Sequence, residues 1–235
     1  VGDAREFDRV AHLRNVPMPG GERAIREPWR MAAAYLIDSG IDVQTLRDHA
    51  TAEALAAVSR QIERDLNAPL TSSAGRLFDA VAAVIGVRSR VTHEGQAAME
   101  LEWLATTELP RESYPFEINR DLKTGEMIVV DTRPLMVEVT RDDSRGIPPA
   151  TISRRFHSTL VEIVADVCSR LRSQTGLGRV VLSGGVFQNA ILATEIPDRL
   201  RREDFEVLTH RRVPPGDGGL SLGQIAVAAA RDLHA

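Results

Sequence analysis

The hydrophobic pattern of the chain starts with helical spacing and ends with an alternation of strands and helices. Apolar residues of the first clear helix recur every three or four positions: Trp29, Ala32, Ala33 and Leu36. Pro28 lies in the first turn and Gly40 follows the last one. The pattern predicts a helix over about 28–38, after an irregular segment that extends to about Arg26.

Further helices are predicted in the rest of the first half. An Ala-rich segment spans 43–66, and the small residues at 71–75 lead into a helix that ends at Gly86. Two segments that favour strands, at 113–119 and 126–131, flank a glycine-containing loop and predict a hairpin.

The second half begins with two predicted helices. A short one covers LMVEVTRDD, with Asp131 or Thr132 as its cap. A long amphipathic one follows Pro149, with a regular apolar stripe: Ile152, Phe156, Leu160, Ile163, Val167 and Leu171.

The last sixty residues alternate between strand and helix. Strands are predicted at 179–185 and 205–210, and helices at 188–202 and 220–233. This order is typical of a parallel or mixed sheet with helices packed on it, so the predicted class is α/β and rich in helix.

Composition excludes several kinds of protein. The 235 residues have a formal charge of −4 and no basic cluster of the kind that binds nucleic acid. No apolar run approaches the roughly 18 residues of a membrane span. The lone Cys168 excludes an internal disulfide and fits a reducing compartment, so we expect a cytoplasmic protein. Because the chain starts at Val1 without a Met, we expect it to be a piece of a longer protein.

Two glycine-rich loops are the strongest candidates for chemistry. In LSGGVFQN (182–189), glycines between a strand and a helix would let backbone N–H groups approach a phosphate, although a tight turn alone can also require them. In VPPGDGGLSLGQ (213–224), Asp217 is either a helix cap or a ligand of a divalent cation that bridges to phosphate.

Other polar residues are less informative. Asp79 and Glu94 could accept hydrogen bonds from ribose hydroxyls or simply be charged positions on helices. His157 is expected to be packed or capping, Cys168 to be inert packing, and Ser183 lacks the GxSxG setting of a nucleophile.

Several motifs in a fixed order give the chain a resemblance to a known family. They are FDRVAHLRNVPMPGGERAIREPWRMAAAYL, TSSAGRLFDAVAAVIG, EGQAAMELE, RRFHSTL, LSGGVFQN and PPGDGGLSLGQ. Together they resemble the C-terminal part of the HypF-type carbamoyltransferases of NiFe-hydrogenase maturation, over essentially the whole chain.

The resemblance implies a fold and a reaction. The fold would be of the actin, hexokinase and Hsp70 type, with a mainly helical lobe at 1–110 and an α/β lobe with the phosphate and metal loops at 111–235. In that family a separate domain makes carbamoyl-adenylate from carbamoyl phosphate and ATP. This domain then passes the carbamoyl group to the C-terminal cysteine thiol of a HypE-like partner.

The resemblance also implies site residues. Gly184, Gly185 and Asn189 match the phosphate-contacting loop, and Asp217 matches a ligand of a divalent metal, either Mg, Fe or Zn. Gly75, Asp79 and Glu94 match the region that faces the nucleoside.

One departure from the family pattern affects the metal site. The other ligands, in an HHxAH segment and an acidic glycine-rich segment, do not occur in this chain. We therefore expect the chain alone to be catalytically incomplete. We also expect the first helices to expose apolar surface and the chain to self-associate.

Two alternatives stay open. One is a relative of the O-carbamoyltransferases or threonylcarbamoyl-transferases. The other is a non-catalytic module that docks a partner.

Overall fold

The computed structural model describes residues 1–120 and 127–232. The strands are β1 (Ala11–Leu13), β2 (Val16–Pro17), β3 (Leu70–Thr71), β4 (Glu117–Arg120), β5 (Ile128–Asp131), β6 (Arg179–Leu182) and β7 (Glu206–Thr209). The helices are α1 (Arg23–Arg26), α2 (Pro28–Asp38), α3 (Ala52–Glu63), α4 (Ala74–Val84), α5 (Gln96–Ala105), α6 (Arg133–Ser144), α7 (Pro149–Thr175), α8 (Ala190–Arg201) and α9 (Leu220–Asp232).

The predicted α/β class is confirmed, and most predicted elements are present. The helix predicted at 28–38 is α2, and α7, β6, α8, β7 and α9 follow in the predicted order. The loop predicted between the hairpin strands lies almost entirely outside the described residues, but β4 and β5 are neighbours in a sheet of order β1-β5-β4.

The prediction of an irregular segment up to Arg26 was wrong. This segment contains β1, β2 and α1. Strands of two or three residues are too short to show an alternating pattern, and β2 depends on a distant partner, since Val16 pairs antiparallel with Thr71 of β3.

The N-terminal capping of α6 also differs in detail from the prediction. Thr132 occupies the N-cap position without a side-chain hydrogen bond. The carboxylate of Asp131 accepts instead from the backbone N–H of Arg133, at 3.0 Å, and pairs with the guanidinium of the same residue.

The chain divides into two compact units, each assembled from separate stretches. The helical unit contains residues 13–118 and 130–160, and the C-terminal unit contains residues 1–12, 119–129 and those from 161 onwards. The predicted lobe boundary at 110/111 does not coincide with a boundary of these units, and the division into lobes stays a prediction.

The helical unit has a core built around α2, α4 and the start of α7. Helices α2 and α4 pack along each other and bury a continuous set of large side chains: Trp29, Met31, Tyr35, Leu36, Leu77 and Phe78. Phe156 meets the edge of Phe78 with ring centroids 4.9 Å apart, and the Ser153 hydroxyl donates to the Leu101 carbonyl at 2.6 Å. Aromatic edge contacts add to the burial of the two rings.

In the C-terminal unit, β6 and β7 pair in parallel with Leu182 opposite Thr209. Helix α8 packs against β7, and the interior contains Leu182, Leu192, Ile196, Leu200 and Phe205. Parallel pairing requires a long connection, which α8 provides.

Exposed apolar side chains occur on both units, with Trp103 65% and Leu109 81% exposed in the helical unit. None of the large ones lies on α1, α2 or α3, so that expectation was wrong in its location. Val181 is 64% exposed, and α9 has no buried side chain, with Ile225 67% exposed. No helix among the described residues combines the length and hydropathy that crossing a membrane demands.

Phe156→Ala should destabilise the helical unit by about 3–5 kcal/mol, because the change opens a cavity beside Phe78. Phe7→Ala is the matched control, since this ring is 82% exposed, and should shift stability by less than about 0.5 kcal/mol. Urea unfolding followed by circular dichroism measures both variants. Equal losses of stability would contradict the placement of Phe156 in the core.

Candidate functional site

The parallel pair β6 and β7 brings together two loops that are thirty residues apart in the sequence. The N–H of Gly184, two residues after β6, donates to the carbonyl of Pro215 at 2.8 Å. The loops also meet at Gly216, where a Cβ atom would lie 2.6 Å from the amide nitrogen at the flexible end of Gln188. The loop at 183–189 and the loop at 213–219 therefore form one structure, the paired loops.

Gly184 and Gly185 form the open side of the paired loops. Gly184 has φ of +107°, a conformation that L side chains rarely adopt, and a Cβ at either glycine would meet no atom within 4 Å. Among the hydrogen bonds of the described residues, none uses the N–H of Gly185 or Val186. Exposed backbone N–H groups that have no acceptor within the protein can bind phosphate oxygens.

Asn189 has a structural role at the end of this loop. It is the N-cap of α8, and its side-chain oxygen accepts from the N–H of Leu192 at 3.0 Å. The side chain is nearly buried. The predicted contact of Asn189 with a ligand stays a prediction.

Asp217 is exposed at the start of a single 3-10 turn, Asp217–Gly219, that leads into α9. It makes no side-chain capping bond, so the capping alternative was wrong. No group of three or more His, Cys, Asp or Glu side chains in the described part of the chain could hold a metal. Asp217 thus offers a single carboxylate to a cation.

Two polar side chains that the sequence did not place in this site lie beside the glycines. The Nε2 atom of His210 is 2.9 Å from the Ser183 hydroxyl, which also donates to the Pro215 carbonyl at 3.4 Å. Each residue directly follows a strand, Ser183 after β6 and His210 after β7. Neighbouring parallel strands end at the same edge of a sheet, so their predicted ends could have located this pair.

In the helical unit, Asp79 forms a buried pair with Arg76. The carboxylate lies 3.0 Å from the guanidinium, and the two side chains are at most 8% exposed. Burial raises the pKa of Asp79 to about 7, against the lowering effect of Arg76 and with a small further rise from Glu94. Asp79 therefore has little access to any ligand.

Glu94 and Gly75 are placed differently from Asp79. The side chain of Glu94 is 78% exposed, and its carboxylate is 3.9 Å from Arg76. It lines a groove of about 360 Å³ together with Glu22, Arg26 and His93. A Cβ at Gly75 would make only an ordinary contact with Ser73, so the protein's own packing does not require glycine there.

Two expectations about other residues are confirmed. His157 is fully buried, its Nδ1 lies 2.8 Å from the Ser153 carbonyl, and desolvation lowers its pKa to about 4. Burial raises the pKa of Cys168 to about 11, so the thiol stays protonated and inert near neutral pH.

Comparison with known proteins gives a consistent result. Residues 1–224 match the family model described as "Carbamoyltransferase, Kae1-like Domain, second subdomain". The chain is 40% identical over 233 residues to carbamoyltransferase HypF of Rhodobacter capsulatus, covering 98% of this chain and 29% of that protein. It is 36% identical over 251 residues to carbamoyltransferase HypF2 of Cupriavidus necator, covering 97% of this chain and 31% of that protein.

A solved structure agrees with these sequence matches. A crystal structure of full-length HypF in its phosphate- and nucleotide-bound form superimposes with a TM-score of 0.88, at 38% identity over 97% of this chain and 29% of that one. The likeness confirms the Kae1-like fold. The chain spans about a third of the length of these two curated relatives.

The raised pKa of Asp79 predicts how stability depends on pH. An unfolded Asp titrates near 3.9. As pH rises from about 4 to about 7, the unfolded chain therefore loses a proton that the folded chain keeps, and stability falls. Asp79→Asn should remove this fall, on the order of a few kcal/mol, although unpairing Arg76 lowers stability at every pH.

Urea unfolding at several pH values between 4 and 8 measures the effect. Asp198→Asn, which changes an exposed aspartate on α8, is the control and should keep the profile of the wild type. If Asp79→Asn also keeps that profile, the carboxyl is not held protonated by burial.

Proposed function

The chain belongs to the HypF carbamoyltransferase family, and from this membership we propose that it works within a longer protein as the part of a carbamoyl-transfer site that holds the phosphate of a nucleotide. The observation that carries the proposal is the open backbone of Gly184 and Gly185 in the paired loops. The proposed ligand is ATP or carbamoyl-adenylate.

The paired loops support phosphate binding by their geometry. The N–H groups of Gly185 and Val186 are without an acceptor among the described residues, and no side chain covers them. A phosphate oxygen that accepts from such groups forms charge-assisted bonds, which are roughly twice as strong as neutral ones. The nucleotide-bound state of the similar full-length HypF is in line with this use.

The proposed reaction transfers a carbamoyl group to a thiolate. The sulfur of the acceptor, proposed to be the C-terminal cysteine of a HypE-like partner, attacks the carbamoyl carbon and forms a C–S bond. The bond from that carbon to the phosphate oxygen breaks, and AMP leaves with the electron pair. By holding the phosphate, the paired loops would stabilise the negative charge that the leaving group retains.

The described residues supply only part of a binding site for a divalent cation. Such a cation, when bound, would neutralise charge on the phosphates. Asp217 is exposed and without a capping bond, so its carboxylate is available as one ligand. The described residues provide no cluster that completes the set, so the other ligands would come from elsewhere in the longer protein.

In the helical unit, Glu94 is the proposed contact to the nucleoside. Its carboxylate is exposed and can accept from ribose hydroxyls, with Gly75 leaving room for close approach. Asp79 would act indirectly, because its buried carboxylate pairs with Arg76, which in turn lies near Glu94. We propose Asp79 as a residue that positions its neighbours and does not itself touch the ligand.

Gly185→Ala in the longer protein should slow carbamoylation of the acceptor cysteine by about tenfold or more. The new methyl group points into open space, so the fold is unaffected, but it stands where a phosphate oxygen would approach. The assay follows the mass of the acceptor after incubation with carbamoyl phosphate and ATP.

Gly178→Ala is the matched control. This glycine precedes β6 at the opposite end of the strand and has the same open surroundings, so the rate should stay at that of the wild type. ATP–pyrophosphate exchange, which reports adenylate formation, should be unchanged in both variants. Full transfer by Gly185→Ala would refute phosphate binding at this loop, and would favour a docking role if acceptor binding were retained.

A further inference from the structure

The side chains of Ser183 and His210 form a hydrogen-bonded pair next to the proposed phosphate site. Both residues are exposed, and each directly follows one of two paired strands. Their side chains meet at 2.9 Å across the edge of the sheet. An exposed hydrogen bond of this kind contributes little to stability, so its position beside Gly184 and Gly185 is the informative feature.

The proton count limits how the Ser183 hydroxyl can pair with its two neighbours. A hydroxyl has one proton and two acceptor positions. In the tautomer that has its proton on Nε2, His210 donates to the Ser183 oxygen, and the hydroxyl proton is then left to point toward the Pro215 carbonyl. His210 thereby fixes the oxygen and leaves the hydroxyl proton directed outward to an acceptor.

The present acceptor of that proton is a weak one. The distance from the Ser183 oxygen to the Pro215 carbonyl is 3.4 Å, which lies beyond the usual 2.5–3.0 Å of a hydroxyl bond. The Pro215 carbonyl already accepts from Gly184 N–H at 2.8 Å, so it keeps a good partner when the hydroxyl turns away. A phosphate oxygen would be the stronger acceptor because it is charged.

We propose that Ser183 donates a hydrogen bond to the phosphate bound by the paired loops, and that His210 is a positioning residue that acts through Ser183. The proposal rests on the proposed function of these loops. Donation from His210 also polarises the hydroxyl and strengthens the bond that Ser183 gives.

A double-mutant cycle in the longer protein tests the proposal through the rate of acceptor carbamoylation. Ser183→Ala should slow transfer by about tenfold, the usual effect of losing one bond to a charged group. His210→Ala should slow it by a similar factor or less. The double variant should be no slower than Ser183→Ala, because His210 has no effect without the hydroxyl.

Conservative variants separate positioning from a merely structural role. His210→Gln keeps an N–H donor at about the position of Nε2 and should recover most of the rate, and Ser183→Thr should keep it because the hydroxyl remains. His49→Ala, which removes a histidine in the helical unit, should transfer at the rate of the wild type. Thermal unfolding should be unchanged in the variants of Ser183 and His210, since both side chains are exposed.

Different results would contradict different parts of the proposal. A wild-type rate for His210→Ala, or effects of the two single variants that multiply in the double variant, would overturn the positioning role while leaving the proposed function intact. A wild-type rate for Ser183→Ala would overturn the contact with phosphate. Full transfer by Gly185→Ala would instead refute the proposed function and this inference with it.

Discussion

The parallel pairing of β6 with β7 is the constraint on which the candidate site depends. Because Leu182 lies opposite Thr209, the residues that follow the two strands emerge at one edge of the sheet. The hydrogen bond from Gly184 N–H to the Pro215 carbonyl then ties the two loops together. The glycines, Ser183, His210 and Asp217 are placed by this one pairing, although the two loops begin thirty positions apart in the sequence.

Glycine has two different uses in these loops. At Gly219 a Cβ would lie 2.9 Å from the backbone carbonyl oxygen of Pro214, so glycine serves packing. At Gly185 a Cβ would meet no atom within 4 Å, so packing does not account for glycine, and its proposed role is access to the backbone. Both kinds occur in the same short structure, which explains why a glycine-rich motif alone could not decide between a tight turn and an anion site.

The sequence predicted the elements with regular periodicity and missed what depends on distant partners. The helix α2 has its apolar stripe, its proline and its glycine within one segment, whereas β2 exists only through its pairing with β3. For the same reason the proposed phosphate loop could be predicted from LSGGVFQN, whereas the strand ends indicated only that Ser183 and His210 share one sheet edge, and their contact depends on the register of β6 and β7. Asp79 was recognised as a candidate, but its burial with Arg76 became evident only in the folded unit.

The central claim is that the backbone at Gly185 and Val186 binds the phosphate of a nucleotide, and a crystal structure of the longer protein with ADP and magnesium tests it most directly. We expect a phosphate oxygen of ADP at hydrogen-bond distance, roughly 2.7–3.2 Å, from the N–H of Gly185 or Val186, with the Ser183 hydroxyl turned toward it. Nucleotide bound in the longer protein with no phosphate at these two residues would contradict the claim.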